Sequence, residues 1–303
     1  HSVPRKEVAL VKTSYGFKLK PYAPRLLDKV THKAASINDL ILGRAELPVP
    51  ETVTESNRLQ IRAAEKLIRR KQKQYEMQNL RFADMEEDVN LKEYLDRSTF
   101  INKDGEACEF TTLQKHDLNL VLQKRYALLN WQQGSGKTAA VYYRARFLLK
   151  FRKVRNAIIL APAIATNMTW IPFLSVNRER FRVIRAESDL TNVPEGMFLV
   201  VSTSMLGKLR RGLVRYVKQT SRKLCLVFDE SDEITNPTSQ RTRNILCIFR
   251  RLKYKILDTG TTTRNNIAEL YSQFELLYNN SVNMVCWSPQ VYHENKEREI
   301  EEE

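Results

Sequence analysis

The chain has 303 residues, of which 42% are hydrophobic and 28% charged, a balance typical of a globular protein and not of a disordered or fibrous one. Lysine and arginine total 50 against 35 aspartate and glutamate, so the formal net charge is +15, although the tail at 291–303 is acidic. This excess favours a polyanionic partner such as nucleic acid, and a basic surface without such a partner is the alternative. No apolar run approaches the roughly 18 residues that span a bilayer, so no membrane association is expected.

The cysteines argue against a zinc site. There are four of them, none in a CxxC pair, and only four histidines accompany them. Two of the cysteines lie inside apolar runs, which is typical of reduced thiols. We therefore expect an intracellular protein, cytoplasmic or nuclear, that has no structural zinc.

Residues 1–105 are predicted to form a smaller, largely helical accessory region. Tyr15–Tyr22 alternates aromatic and basic residues and indicates a short strand. A long basic helix is predicted to follow Thr52, which can form a capping box with Glu55. The basic face of this helix is either solvated or in contact with a phosphate backbone. The turn dipeptide Asp104-Gly105 marks the predicted boundary with the next domain.

Between residues 106 and 290, short apolar runs alternate with helical patterns. The apolar runs predict five buried strands, at 126–129, 156–160, 198–201, 224–228 and 254–257. Helices are predicted at 138–150 and 204–218. This alternation predicts an α/β fold with a doubly wound, mainly parallel sheet.

The sequence WQQGSGKT at 131–138 follows a predicted strand and opens a predicted helix, which is the context of a phosphate-binding P-loop. Its glycines let backbone N–H groups point at phosphate oxygens, and the start of the helix adds its positive dipole end. Lys137 can reach the β- and γ-phosphates of ATP, and the Thr138 hydroxyl can bind Mg²⁺. The strict pattern has glycine where this chain has Trp131. The residues assigned to the nucleotide are Gln133, Gly134, Ser135, Gly136, Lys137 and Thr138.

A pair of carboxylates follows the predicted strand 224–228. Strand ends of this kind are where ligands bind in open α/β sheets, so Asp229 and Glu230 are placed at such an edge. Asp229 is assigned to the Mg²⁺ shell. Glu230 is assigned to orienting and deprotonating the attacking water, with Lys137 as the second catalytic residue. A solvated acidic turn is the alternative for this stretch.

In order and spacing, these motifs resemble the first RecA-like domain of superfamily-two helicase-type ATPases, with the Swi/Snf-like branch the nearest pattern. The likeness covers roughly 110–285 and no part of the first hundred residues. It rests on five places: 133–138 as motif I, 160–163 with Trp170 as motif Ia, 200–206 as the next strand end, 229–232 with Asn236 as motif II, and 259–261 with Asn265, Glu269 and Leu270 as motif III.

The resemblance implies an ATP hydrolase that uses ATP and Mg²⁺ and moves along nucleic acid, with double-stranded DNA as the expected track. It implies a second RecA-like lobe, in the same or another chain, that supplies an arginine finger. Contacts to nucleic acid would come from Pro162, Ala163, Thr203 and Ser204. Residues that couple the nucleotide state to motion would be Asp232, Thr259, Gly260 and Thr261.

The sequence departs from this family in three places. Asp232 stands where motif II usually has histidine, and Thr262 stands where motif III usually has proline. The glutamine that reads adenine in the family corresponds either to Gln114 or to Asp117, and an ionised aspartate cannot donate a hydrogen bond. The resemblance therefore leaves coupling and adenine selectivity open.

Two further functions stay open. One is a non-catalytic nucleic-acid-binding or scaffold protein with a degenerate helicase-like fold, which the changes in motifs II and III favour. The other is a P-loop nucleotidase or kinase with a small substrate, which leaves the basic charge unexplained. Lys137, Thr138, Asp229 and Glu230 are all intact, which favours a working ATPase.

Overall fold

A computed structural model describes residues 80–102, 104–260 and 267–278, together with strands at 8–13 and 16–21 and seven helical positions between 58 and 76. The chain divides into two compact units, 1–81 and 82–303. The division falls earlier than the predicted boundary at 105/106.

The first unit contains an antiparallel hairpin of β1 (Val8–Thr13) and β2 (Gly16–Pro21). The strand predicted within Tyr15–Tyr22 is therefore confirmed, and its hairpin partner was not predicted. Further along, the backbone is helical at the positions Arg58, Arg62, Glu65, Lys66, Arg69, Gln72 and Glu76, and the arginines among them are exposed. The predicted capping box of this helix lies outside the described residues.

The second unit begins with elements that sequence analysis had assigned to the first. They are the helix α1 (Val89–Asp96) and the antiparallel pair β3 (Thr99–Ile101) and β4 (Ala107–Glu109). Gly105, with φ of +86°, makes the turn between β3 and β4, so the turn dipeptide lies inside a hairpin. Asn119 exchanges two hydrogen bonds of 2.9 Å with the backbone of Asp88, and Tyr94 packs edge-on against Phe147. These contacts attach 82–109 to the larger unit.

The core of the second unit is a six-stranded, all-parallel sheet in the order β5-β10-β9-β6-β8-β7. Its strands are β5 (Tyr126–Leu129), β6 (Asn156–Ala161), β7 (Phe181–Val183), β8 (Phe198–Ser202), β9 (Leu224–Phe228) and β10 (Tyr254–Asp258). The five predicted strands are confirmed, and the short edge strand β7 was missed. The predicted α/β class with a mainly parallel sheet is likewise confirmed.

Helices cover both faces of the sheet. After α1 come α2 (Thr112–Gln123) and α3 (Lys137–Lys150). The next helix, α4, is composite: it consists of Ala163–Ala165, the π-helical turn Thr166–Trp170, and Ile171–Val176. The last three are α5 (Leu206–Gln219), α6 (Gln240–Phe249) and α7 (Tyr271–Tyr278). Because side chains alternate along a strand, each strand contributes residues to two hydrophobic cores, one on each face of the sheet. Residues such as Val227 and Ile256 pack with α1–α4, and residues such as Phe228 and Leu257 pack with α5–α7.

Within the described residues, no helix combines the length and apolar character needed to cross a membrane.

One buried lysine connects the sheet to its second helical layer. Lys255 in β10 is fully buried, and its ammonium donates to the carbonyls of Arg250 at 2.7 Å and Leu276 at 2.5 Å. The same ammonium lies 4.8 Å from the centroid of the Tyr126 ring. Burial lowers the pKa of Lys255 from 10.5 to about 7, while the nearby Glu275 carboxylate opposes that shift.

This lowered pKa predicts a pH-dependent stability. Between pH 7 and 10.5 the unfolded chain holds the Lys255 proton and the folded chain does not, so the free energy of unfolding rises with pH. We expect the wild type to gain roughly 2 kcal/mol over Lys255→Met between pH 7 and pH 9. Urea unfolding of both proteins at the two pH values measures this gain. The exposed neighbour Lys253→Met is the matched control, and a pH-independent difference for Lys255→Met would contradict a neutral buried amine.

Candidate nucleotide and magnesium site

The P-loop curls between the end of β5 and the start of α3. Gly134 and Gly136 adopt φ values of +77° and +81°, which side chains other than glycine rarely tolerate. The Lys137 ammonium bends back over the loop and donates to the carbonyls of Trp131 at 3.0 Å and Gln132 at 3.2 Å. α3 begins at Lys137, so the N–H groups of its first turn have no partner within the helix and lie next to the loop. The structure therefore brings together the residues predicted to bind phosphate.

Gln114 connects α2 to the P-loop. Its amide nitrogen donates to the Ser135 carbonyl at 2.8 Å, while its amide oxygen accepts from the Thr111 N–H at 2.8 Å. The same nitrogen lies 3.2 Å from where a Cβ on Gly136 would stand, so a larger residue at 136 would displace it. Gln114 thus contacts the loop directly, and its adenine role stays a prediction.

Asp117, the alternative residue for adenine, has a different partner. Its carboxylate accepts a 2.9 Å hydrogen bond from the indole N–H of Trp131. The tryptophan that replaces the usual first glycine of the loop is therefore held by a residue one helical turn beyond Gln114. This contact explains how the loop accommodates a large side chain at position 131.

The acidic pair lies at the end of β9, two strands away from the P-loop strand. Asp229 is 7% exposed, and its N–H donates to the Leu160 carbonyl at 2.9 Å, which continues the pairing of β9 with β6. Burial raises the pKa of Asp229, and hydrogen bonds, chiefly that from Trp170, oppose the rise. The Lys137 ammonium also lowers this pKa, so P-loop and strand end share one electrostatic environment.

Glu230 occupies a strained backbone position. Its φ of +54° is a left-handed value that costs a residue with a side chain about 1–2 kcal/mol. Its carboxyl is half-buried, and burial followed by the charges of Asp229 and Asp232 raises its pKa. A raised pKa brings a carboxylate closer to the range suited to a general base. The strain is consistent with a position that is held for function.

Trp170 is a residue whose connection to the acidic pair sequence analysis missed. It is completely buried, and its indole N–H donates to the Asp229 carboxylate at 2.7 Å. Trp170 closes the π-helical turn of α4, an irregularity that is frequent at functional sites. The sequence marked this tryptophan only as part of motif Ia, because nothing local indicates a partner 59 residues away.

Replacing Trp170 by phenylalanine is expected to lower the free energy of unfolding by about 1–3 kcal/mol, because the buried Asp229 carboxylate loses a donor. Trp131→Phe is the matched control, since it removes the same kind of bond from the more exposed Asp117. Urea unfolding of Trp170→Phe, Asp229→Asn and the double variant separates this bond from packing. The two effects should be non-additive by at least about 0.5 kcal/mol. Strict additivity would show that Trp170 does not act through Asp229.

Asp258 is a second residue that the sequence analysis missed. It ends β10, is 1% exposed, and lies within hydrogen-bonding range of the Asp229 carboxyl. Burial and the neighbouring Asp229 raise its pKa well above the usual range. The sequence feature that could have identified Asp258 is its place at the end of an apolar strand, immediately before the predicted coupling residues.

Two of the predicted coupling residues are in direct contact. The Thr259 hydroxyl donates to the Asp232 carboxylate at 3.3 Å, and both side chains are buried. Gly260 lies against the P-loop, because a Cβ there would be 3.1 Å from Gln133 and 3.6 Å from the Lys137 ammonium. Thr261 lies outside the described residues. The loop after β10 thus links the end of β9 to the P-loop.

The residues predicted to contact nucleic acid follow the paired strands β6 and β8. Ala163 and Ser204 are exposed, and Pro162 is half-buried. Thr203 is buried, with 5% of its surface exposed, whereas Ser204 is exposed and is the more accessible of the two. On α5, which begins just after Ser204, the basic residues Lys208, Arg210 and Arg211 are exposed.

Comparison with known proteins finds similarity only among solved structures. No protein-family model matches the chain, and no curated protein matches it. The SWI2/SNF2 ATPase core of Sulfolobus solfataricus in complex with dsDNA is 18% identical, with a TM-score of 0.46, and the match covers 57% of this chain and 36% of that one. The same core domain in a second structure is 19% identical, with a TM-score of 0.44 and coverage of 56% and 35%.

The UvsW helicase from bacteriophage T4 is also similar in structure. It is 14% identical, with a TM-score of 0.45, and the match covers 63% of this chain and 67% of the helicase. The similarity is to helicase-type ATPase cores. The chain spans only about a third of the length of the SWI2/SNF2 structures, so what those proteins do as wholes is not transferred by the match.

Proposed function

We propose that this chain is the first RecA-like lobe of an ATP-dependent translocase or remodelling ATPase that acts on nucleic acid, with double-stranded DNA as the track. The observation that carries the proposal is the meeting of two motifs at one edge of the sheet. The P-loop follows β5, Asp229 and Glu230 follow β9, and β10 lies between these two strands. A glycine-rich loop suited to phosphate and a pair of carboxylates thus follow strands at the same edge of the sheet, which supports a role in nucleotide hydrolysis.

In this proposal each part of the site has one task. The N–H groups around Gly134 and Gly136 and the Lys137 ammonium bind the β- and γ-phosphates of ATP. Thr138 and Asp229 would hold Mg²⁺, which neutralises charge on the phosphates. These residues suit Mg²⁺ because the Thr138 hydroxyl and the buried Asp229 carboxylate both offer oxygen ligands, which this ion prefers. Glu230 orients the attacking water and accepts its proton.

The nucleic-acid part of the proposal rests on charge and on surface placement. The net charge is +15, and the exposed cations of α5 stand beside Ser204 at the same end of the sheet. Backbone N–H groups, hydroxyls and cations are the groups that follow a phosphate backbone without reading bases. Binding of this kind should weaken steeply as salt rises.

The test is ATP hydrolysis with and without duplex DNA, on this chain and on the longer gene product that would carry the second lobe. The isolated lobe should bind ATP and turn over slowly, because an arginine finger from a second lobe contributes roughly 10³–10⁵ in rate. Duplex DNA should stimulate the longer protein. A chain that binds no ATP would overturn the proposal.

The alternative function is a non-catalytic nucleic-acid-binding or scaffold protein with a degenerate helicase-like fold. One observation favours it, namely that Asp232 stands in place of the family's histidine and its carboxylate is occupied by Thr259. ATP binding with no turnover in either protein, with or without DNA, would select this alternative.

A further inference from the structure

Strand register places Asp258 between the P-loop and Asp229. β10 pairs with β5 on one side, where Asp258 lies opposite Leu129, and with β9 on the other, where Leu257 lies opposite Phe228. One residue further along, Asp258 and Asp229 are therefore neighbours on parallel strands. Val227 and Ile256, two positions earlier on these strands, pack on the face of the sheet that α3 covers. Since side chains alternate along a strand, Asp229 and Asp258 lie on that same face. The P-loop opens α3, so the two carboxyls and the loop share this side of the sheet.

The Asp258 carboxyl lies against the carboxyl of Asp229. It is 1% exposed, and among residues 80–102, 104–260 and 267–278 no N–H or hydroxyl donor reaches either of its oxygens. Its neighbour Asp229 differs, since that carboxylate accepts from Trp170. The Lys137 ammonium acts on Asp258 through its charge, but its hydrogen bonds go to the loop carbonyls of Trp131 and Gln132. A buried carboxyl in this situation is costly unless a cation or a proton completes it.

We propose that Asp258 is a second carboxylate of the divalent-cation site, beside Asp229 and Thr138. The inference rests on the proposed function, because it concerns the metal of the same nucleotide site. The ligand is a hard cation such as Mg²⁺ or Mn²⁺, since all the candidate groups are oxygens. No group of three or more acidic, histidine or cysteine side chains suited to a metal occurs in the described part of the chain. Tight binding should therefore require nucleotide phosphate oxygens as well.

The competing role for Asp258 is that of a hydrogen-bond donor that steadies Asp229 without touching the metal. Asparagine separates the two roles, because its amide still donates to Asp229 but carries no charge for a cation. Asp258→Asn should therefore weaken metal binding if Asp258 is a ligand, and should leave it unchanged if Asp258 is a donor. The surface residue Asp96→Asn is the matched control.

The experiment titrates Mn²⁺ into protein with saturating ADP and follows free Mn²⁺ by electron paramagnetic resonance, with circular dichroism to verify folding. We expect Asp258→Asn to raise the Kd for Mn²⁺ at least tenfold, Asp229→Asn to raise it at least as much, and Asp96→Asn to leave it unchanged. ADP affinity without metal should not fall in any of the three variants, so a weaker Mn²⁺ titration reports loss of a metal ligand and not loss of the nucleotide. A Kd for Asp258→Asn within twofold of wild type would overturn the inference alone. Wild type that binds neither ADP nor Mn²⁺–ADP would overturn the proposed function with it.

Discussion

Alanine in place of Lys137 should reduce the affinity for ATP by about 10²-fold. The ammonium already lies over the P-loop, 3.0 and 3.2 Å from two loop carbonyls, so little rearrangement separates it from bound phosphate. Charge-assisted hydrogen bonds to phosphate contribute about 1.5–3 kcal/mol each, and losing one to two of them gives a change of this size. Titration with a fluorescent ATP analogue measures the loss.

Two variants make this result specific. Lys153→Ala removes an exposed lysine just beyond the end of α3 and should leave the affinity unchanged, which controls for net charge. Lys137→Arg keeps the charge but not the shape, and should restore only part of the affinity. Affinity of Lys137→Ala within twofold of wild type would show that the curled loop does not bind phosphate.

The elements that sequence analysis predicted well are those whose signal is local and strong. Strands such as β6 and β9 are continuous apolar runs because both faces of a parallel sheet are covered. The P-loop is recognisable because glycine, lysine and threonine must occur at fixed spacing. The misses are short or mixed in character: β7 has only three residues with Arg182 at its centre, and β3 and β4 have three each.

The site residues that were missed depend on contacts distant in the chain. Trp170 reads as an ordinary core tryptophan until its bond to Asp229 is seen. Asp258 reads as the polar end of a strand until the order β5-β10-β9 sets it beside Asp229. Neither strand order nor register can be inferred from one sequence, because both are decided by packing of the whole sheet.

The predicted domain boundary rests on a local turn signal that the structure places inside a hairpin. Asp104-Gly105 does form a turn, as predicted, but the turn joins two strands of one hairpin. Turn residues show where the chain reverses and carry no information on which side of the reversal a domain ends. The attachment of α1 to the larger unit depends on Tyr94 and on the pairing of Asp88 with Asn119, which no local pattern reveals.

The variant Glu230→Gln should lose about 10²–10⁴-fold in ATP turnover while still binding ATP. Glutamine keeps the size of the side chain and the left-handed backbone, but it cannot accept the proton of the attacking water. Removing one negative charge beside Asp229 and Asp232 should, if anything, favour the anionic nucleotide. The measurement is phosphate release in the presence of duplex DNA, with ATP affinity measured in parallel.

Glu233→Gln is the matched control for this variant. It makes the same chemical change in the same loop, where Glu233 forms an ion pair of 3.3 Å with Arg241. If turnover depends on a base at position 230, the control should keep turnover near the wild-type rate. Equal losses in both variants would instead assign the effect to the charge of the loop as a whole. Unchanged turnover in Glu230→Gln would remove the general-base role, even though the strained backbone and raised pKa favour it, because these features place a carboxylate without proving that it accepts a proton.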